Sequence, residues 1–345
     1  MKHLFTQRSL IALAVVCLPS VSFADSKIYG KVHVSADVVD VGDGQHAAIS
    51  SNSSRIGFKG KENIQGGMNV FWKLESDIDV SGERSELKSR NRYVGIETEM
   101  GNLSIGYQDS PFKKVGGLVG LWADTIGDRR AILGSGNGKN KFNIRTKSGA
   151  TFHSKNYRGI KVSATLSAGG VRNDDGSDAN PIASVGVVYK PSGTSLLVAA
   201  ASERHNNFNN GNSAATAVRG VVGYQISDIQ IRAIYEDINA AGASSFDRSA
   251  YGGSISVPVS SFRIKAQLFT AEESVDSEDS GAMSFAAGGD YKATKNTSIY
   301  AVYTQTNNDE NAKFNIAGSG HGNSFKTTES GFNSSGVSVG LSHKF

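Results

Sequence analysis

The sequence predicts an all-β protein in which sixteen antiparallel strands form a transmembrane barrel. Three observations lead to this fold class: strand-like segments that alternate apolar and polar residues, connections that alternate between short turns and long polar loops, and a low apolar content. Hydrophobic residues make up 38% of the 345-residue chain, which has 40 Gly and only 5 Pro. A barrel that encloses water needs an apolar surface only on its outer face, so this composition suits it.

The alternation is clearest from Lys27 to Val38. Every second residue, beginning at Ile28, is apolar or glycine, and the residues between them are polar or aromatic. A period of two over about a dozen residues exceeds the length of most soluble strands and suits a tilted strand that crosses a bilayer. The same pattern recurs in segments 68–77, 161–168, 184–190, 217–225, 229–236, 263–269, 298–305 and 337–345.

The connections between these segments alternate in length. Short polar turns are predicted at 63–67, 99–102, 155–159, 191–194, 227–228, 260–261 and 293–296, and long loops at 41–52, 80–88, 110–142, 170–181, 205–213, 239–247, 273–280 and 307–333. Short turns at one end and long loops at the other are typical of bacterial outer-membrane barrels. No linker interrupts the series, so residues 25–345 are predicted to form one domain. A soluble β-sandwich is the alternative, but its core would need inward faces richer in Leu, Ile and Phe.

Residues 1–24 have the features of a cleaved signal peptide. Two basic residues, Lys2 and Arg8, precede an apolar run over residues 10–18, and small residues precede a cleavage point after Ala24. The run is shorter than the roughly 20 apolar residues that a membrane-spanning helix needs. We therefore expect export and removal of residues 1–24, which include Cys17, the only cysteine.

Charge and motif content exclude several other classes of function. The chain has 36 Lys and Arg against 32 Asp and Glu, spread along its length, which does not suit a nucleic-acid-binding protein. The 7 His are scattered without a nucleophile motif beside them, so no catalytic residues are assigned and no enzyme is expected. The acidic loops 170–181 and 273–280 lack the spacing of a calcium site, so neither a metal nor another cofactor is expected.

Four short motifs in the right order resemble those of the Gram-negative general (trimeric) porin family over essentially the whole mature chain. They are Ile28-Tyr29-Gly30-Lys31, Ser54-Arg55-Ile56-Gly57-Phe58-Lys59-Gly60, Arg92-Tyr93-Val94-Gly95-Ile96 and the terminal Gly340-Leu341-Ser342-His343-Lys344-Phe345. The resemblance implies sixteen strands, a homotrimer, contact with outer-membrane lipid and lipopolysaccharide, and a long third loop folded into the pore. Residues 110–142 occupy the place of that loop. They begin with Ser110-Pro111-Phe112-Lys113, where the best-known members have an acidic Pro-Glu-Phe-Gly-Gly sequence.

The resemblance also implies a function. A porin is a water-filled channel for passive diffusion of small hydrophilic solutes and ions, and the side chains at its narrowest level decide what crosses. The closest alternative is a substrate-specific channel, for a sugar or an anion, on the same barrel. A sugar channel would need a row of aromatic side chains, and the 110–142 segment offers only Phe112, Trp122 and Phe142.

Strand parity selects candidate constriction residues. Alternate apolar neighbours suit the lipid face and direct Arg55, on the second strand, and Arg145 and Lys147, on the sixth, inward. Arg90 matches the pore arginine of the family's fourth strand by its place before Tyr93, although apolar residues on both faces of that strand leave its parity open. We therefore expect a row of basic groups along one wall of the pore.

The 110–142 segment should supply the opposing charges. Asp124 and Asp128 are its only carboxylates and are candidates for the acidic side of a transverse field. The same segment carries six Lys and Arg, so its net charge is positive, and together with the basic wall this predicts weak anion selectivity.

The last strand ends on an aromatic residue, Phe345, which shares a face with Val339 and Leu341. A terminal aromatic of this kind is similar to the signature by which outer-membrane barrels are delivered to their insertion machinery. We therefore expect Phe345 to act as an assembly signal.

Overall fold

The computed structural model describes residues 25–136, 139–169, 180–208, 213–240 and 246–345. The expected signal peptide and most of the acidic loop 170–181 lie outside these residues.

Sixteen antiparallel strands pair in chain order, and the last pairs with the first, so that the sheet closes on itself. The second strand is interrupted at residues 52–54, and both of its segments pair with the first. The all-β fold class and the count of sixteen are therefore confirmed. The strands are β1 (Lys27–Asp40), β2 (Gln45–Ser51 and Arg55–Ile64), β3 (Met68–Asp77), β4 (Lys88–Glu97), β5 (Gly101–Asp109), β6 (Arg145–Ser154), β7 (Ile160–Ser167), β8 (Ile182–Tyr189), β9 (Leu196–His205), β10 (Ala215–Ile226), β11 (Ile229–Ala240), β12 (Arg248–Val259), β13 (Phe262–Ala271), β14 (Ala282–Lys292), β15 (Thr297–Asn308) and β16 (Ser334–Lys344).

Burial along β1 has the opposite sense to that of a soluble sheet. The apolar Ile28 and Val38 are 65% and 49% exposed, whereas the polar His33, Ser35 and Asp37 are 3%, 2% and 1% exposed. Apolar side chains therefore face outward and polar ones face the interior, which is the arrangement that a barrel surrounded by lipid requires.

A bulge in β4 settles the parity that the sequence leaves open. Leu74 of β3 pairs with Arg92, but Ser76 pairs with Ser89, so β4 has one extra residue at this point. An extra residue reverses the direction of the side chains beyond it. Val94 can therefore face outward while Arg90 faces inward.

The loop predicted at residues 41–52 is mostly strand. Residues 45–51 pair with β1, which leaves only a short turn at 41–44. The prediction is wrong because inward-facing strand residues of a barrel have the composition of a loop. Ser50 and Ser51, for example, are buried and polar.

The segment between β5 and β6, residues 110–144, is here called the inner loop. It begins with one short helix, α1 (Pro111–Gly116), whose N-terminus is capped because the Ser110 hydroxyl accepts a hydrogen bond from the Lys113 amide. Among the described residues, no helix is long and apolar enough to cross a membrane.

Inward-facing side chains of the wall hold the inner loop. Gln267 of β13 accepts a hydrogen bond from the Leu121 amide (3.0 Å) and donates one to the Gly127 carbonyl (2.6 Å). The Ser254 hydroxyl of β12 donates to the Val119 carbonyl at 2.7 Å. The inner loop therefore packs against the inner face of the barrel wall.

Candidate functional site

The inner loop and the neighbouring wall border a cavity of about 600 Å³. Of the six charged residues that the sequence singles out, Arg55 lies outside this cavity. The other five line it: Arg90, Asp124, Asp128, Arg145 and Lys147.

Charged side chains dominate the cavity lining, and most of them are basic. The basic residues are Arg90, Lys113, Lys114, Arg129, Arg130, Arg145 and Lys147, and the acidic ones are Asp109, Asp124 and Asp128. An excess of one sign of charge in a narrow space with walls of low dielectric constant concentrates the electrostatic potential. The lining of the cavity therefore carries an excess of basic groups.

Arg55 and Arg90 meet at one buried carboxylate, Glu75 of β3. Arg90 Nε donates a hydrogen bond to Glu75 Oε1 at 2.8 Å, and Arg55 Nε lies 3.7 Å from Glu75 Oε2. Lys73 and the Tyr29 hydroxyl also reach Glu75 Oε2, at 3.2 and 2.9 Å. The row of basic groups is therefore partly neutralised on this wall. Glu75 is not among the residues predicted from sequence, although its place on the polar face of β3, beside the exposed Leu74, is a signal that could identify it.

Arg145 and Lys113 share a second carboxylate, Asp109, at the end of β5. Asp109 Oδ1 lies 3.2 Å from Arg145 Nε and 2.6 Å from Lys113 Nζ. Burial lowers the pKa of Lys113 to about 8, although the charge of Asp109 opposes this change. Lys147 makes no ion pair within the part of the chain that the structure describes, so its amine contributes an uncompensated positive charge.

Asp124 and Asp128 are compensated by cations. Arg130 Nη2 lies 2.9 Å from Asp124 Oδ1 and 2.5 Å from Asp128 Oδ2, and Lys31 Nζ lies 3.3 Å from Asp124 Oδ2. Burial alone would raise the pKa of Asp124, but the charges of Arg130 and Lys31 hold that pKa well below its ordinary value. Both aspartates line the cavity, but their negative charges are largely balanced by Arg130, which they hold in place.

Phe345 lies where the barrel closes. Its amide donates a hydrogen bond to the Gly30 carbonyl (3.2 Å), and the Gly30 amide donates to the Phe345 carbonyl (3.0 Å). The ring lies over Gly30, since a Cβ at that position would come within 2.3 Å of it. The aromatic ring therefore covers the site where a side chain is missing on the neighbouring strand.

A comparison with protein families finds a match between residues 9–311 and a family described as Gram-negative porin. Among curated proteins, the major outer membrane protein P.IB of Neisseria gonorrhoeae is 30% identical over 125 residues. The matched stretch covers 34% of this chain and 36% of that protein, so it spans about a third of the length of this relative.

Solved structures are similar over almost the whole chain. An anion-selective porin from Comamonas acidovorans matches with a TM-score of 0.77 and 17% identity, covering 94% of this chain and all of the other. The trimer form of OmpT, an outer-membrane protein of Vibrio cholerae, matches with a TM-score of 0.65 and 17% identity, covering 93% of this chain and 99% of the other. At this level of identity the likeness shows the fold.

Proposed function

Because this chain belongs to the Gram-negative porin family, we propose that it is a passive channel of the outer membrane for small hydrophilic solutes and ions. The observation that carries the proposal is the cavity of about 600 Å³ between the inner loop and the wall, with its charged lining. Charged walls keep water and ions in a passage, and their arrangement decides what crosses. The channel binds no cofactor and performs no chemistry.

We further propose a weak preference for anions. Among the residues that the structure describes, seven basic and three acidic side chains line the cavity. Two of those three carboxylates, Asp124 and Asp128, are held close to Arg130. The preference should be weak because Glu75 and Asp109 neutralise part of the basic wall. The anion selectivity named for the Comamonas acidovorans structure agrees with this proposal.

The constriction is proposed to lie where the inner loop faces Arg90, Arg145 and Lys147. Arg55 would lie beside the constriction and help to hold Glu75, the carboxylate that it shares with Arg90. The side chains of Asp124 and Asp128 would set the position of Arg130.

The mature chain, residues 25–345, is proposed to assemble as a homotrimer surrounded by outer-membrane lipid and lipopolysaccharide, after cleavage of residues 1–24. The trimer form of the Vibrio cholerae OmpT structure supports this assembly. Phe345 is proposed to present the C-terminal strand to the barrel-insertion machinery, since it lies exposed at the end of the closing strand.

A planar lipid bilayer tests the channel directly. Purified protein added to one side should raise the current in discrete steps that are proportional to voltage at low potentials. Protein that enters the bilayer without conducting would contradict the proposal.

An anion-specific channel is the second candidate, because Lys113, Lys114, Arg145 and Lys147 all line one cavity. In that case the current carried by one anion would saturate as its concentration rises. A sugar-specific channel is not favoured, since Phe112, Trp122 and Phe142 are at most 2% exposed and offer no surface to a passing solute.

A further inference from the structure

Three lysines lie side by side across the first three strands, toward the short turn that joins β2 and β3. Lys27 of β1 lies opposite Lys59 of β2, and Lys59 lies opposite Lys73 of β3. Residues that are directly opposite on neighbouring strands point to the same face of a sheet, and like charges in such positions repel each other. An anion bound at this level would relieve the repulsion within this lysine row.

The lysine row faces the interior of the barrel, because its neighbours along the strands, Phe58 and Leu74, are exposed on the outer face. It borders a pocket of about 300 Å³, whose charged lining residues are Lys27, Lys59, Lys61, Lys73 and Asp25. Of the residues that the structure describes, none lines both this pocket and the cavity at the inner loop. The pocket is therefore a separate site, and its size suits a solute with a single ring.

The carboxylates near this pocket do not balance its lysines. Asp25, Glu75 and Glu97 each lie within 4 Å of one lining lysine, but Glu75 also pairs with two arginines and Glu97 with a lysine outside the pocket. Lys59 forms no ion pair within the described part of the chain. Its ammonium group is therefore the one most available to a bound anion.

Aromatic rings lie among these lysines. The Nζ atoms of Lys59 and Lys73 lie 5.1 and 5.4 Å from the centroid of the Tyr29 ring, which is the range of cation–π contacts. Phe71 and Tyr93 line the pocket, with ring centroids 6.1 Å apart and ring planes at 72°. Both rings are only partly buried, unlike the aromatic rings of the inner loop. The pocket therefore offers aromatic surface as well as positive charge.

We propose that this pocket binds small aromatic carboxylates. The carboxylate group of the ligand lies at the lysine row, with Lys59 as its principal partner, and the ring packs against Phe71 and Tyr93. Contacts between aromatic rings add affinity beyond the apolar area that they bury, so a ring and a charge on one solute favour this site together. The inference rests on the proposed channel only for the route by which the solute arrives, because binding itself does not require conduction.

Calorimetric titration of the purified, folded barrel with benzoate tests the inference. Benzoate should bind more tightly than acetate, which has no ring, and more tightly than benzyl alcohol, which has no charge. Lys59→Gln should weaken the binding of benzoate about fivefold, because the principal cation is lost. Phe71→Leu should weaken the binding of benzoate by a similar factor and leave that of acetate unchanged, because it removes a ring and no charge.

Lys161→Gln is the matched control. Lys161 is another exposed lysine, near the start of β7, and it does not line this pocket, so this variant should bind benzoate as the wild type does. Equal affinities for benzoate and acetate, or an equal loss of benzoate binding in Lys59→Gln and Lys161→Gln, would overturn the inference. Conductance steps from a barrel that does not bind benzoate would overturn the inference and leave the channel function intact. Benzoate binding without conductance steps would instead contradict only the channel function.

Discussion

At the scale of single residues, the charged groups of the cavity act as pairs and triads. Glu75 forms ion pairs with Arg55, Lys73 and Arg90, and Asp109 forms ion pairs with Lys113 and Arg145. A buried carboxylate among several cations both stabilises the structure and reduces the positive potential, so its removal should change two properties at once.

Glu75→Gln should increase the preference for anions and destabilise the barrel. The Glu75 side chain is 3% exposed, and loss of its charge leaves three cations close together. The cost should be about 3 kcal/mol, the low end for a broken buried pair, because water in the cavity screens the partners. Reversal potentials and the temperature at which the folded band disappears on SDS gels measure the two effects.

Glu97→Gln provides the comparison for that variant. Glu97 pairs with Lys61 and Lys155 at the end of β4, and all three side chains are more exposed than that of Glu75. The same change of charge there should leave ion selectivity nearly unaltered. An equal shift in both variants would mean that overall charge, and not the cavity, sets the selectivity.

Lys113 predicts a pH dependence of selectivity. Its pKa is lowered to about 8, chiefly by burial, so it is charged below that pH and neutral above it. The preference for anions should therefore fall as the pH rises from 7 to 9. In Lys113→Gln this fall should disappear. If the variant keeps the same decline, another group is responsible for it.

At the scale of elements, the inner loop depends on hydrogen bonds from the wall. Gln267→Met removes the two bonds to the Leu121 amide and the Gly127 carbonyl, each with a net value of about 1 kcal/mol. We expect larger fluctuations of the open-channel current, because the loop gains freedom to move. The control is Gln225→Met, near the exposed end of β10, which should leave the fluctuations of the open-channel current unchanged.

Most strands could be predicted from sequence, because a closed barrel in lipid imposes the same alternation on each of them. The bulge in β4 could not, since the extra residue leaves the composition of the strand unchanged. The sequence predicts a loop at 41–52 where residues 45–51 form a strand, because the inward side chains of that strand are polar. The pairing of Asp124 and Asp128 with Arg130 also could not be predicted, since it depends on the irregular course of the inner loop.

Some residues of the candidate site could be predicted from the alternation along a strand, and others could not. Both Arg145 and Lys147 line the cavity, but one extra residue between Thr146 and Gly149 interrupts the alternation along β6 from which their inward direction is predicted. Lys31, which pairs with Asp124, lies on the polar face of β1 and could have been selected by the same rule. Asp109 has the same parity along β5 as the exposed Leu103 and Ile105, so counting along the chain would direct it outward.

At the scale of the whole molecule, closure between β1 and β16 makes the barrel continuous. Deletion of Phe345 removes two hydrogen bonds to Gly30 and the ring that covers it. The yield of heat-modifiable barrel should fall while synthesis and export continue, and the channels that do form should conduct normally. Phe262→Ala, which truncates an exposed aromatic at the start of β13, should assemble at the normal yield. A normal yield without Phe345 would contradict its role in assembly.

The distribution of charge in the cavity gives the whole molecule its proposed selectivity. The chain carries a net charge of only +4, so a preference among ions must come from the local excess of basic groups. Salt should weaken this preference, because the screening length falls from about 10 Å at 0.1 M to about 3 Å at 1 M.

The reversal potential of the wild-type channel under a gradient of KCl tests the central claim most directly. With both solutions at low ionic strength, its sign should show that chloride crosses more readily than potassium, and its magnitude should decrease as both concentrations are raised. A sign that shows potassium crossing more readily at low salt would contradict the account, because the carboxylates and not the basic groups would then control the passage.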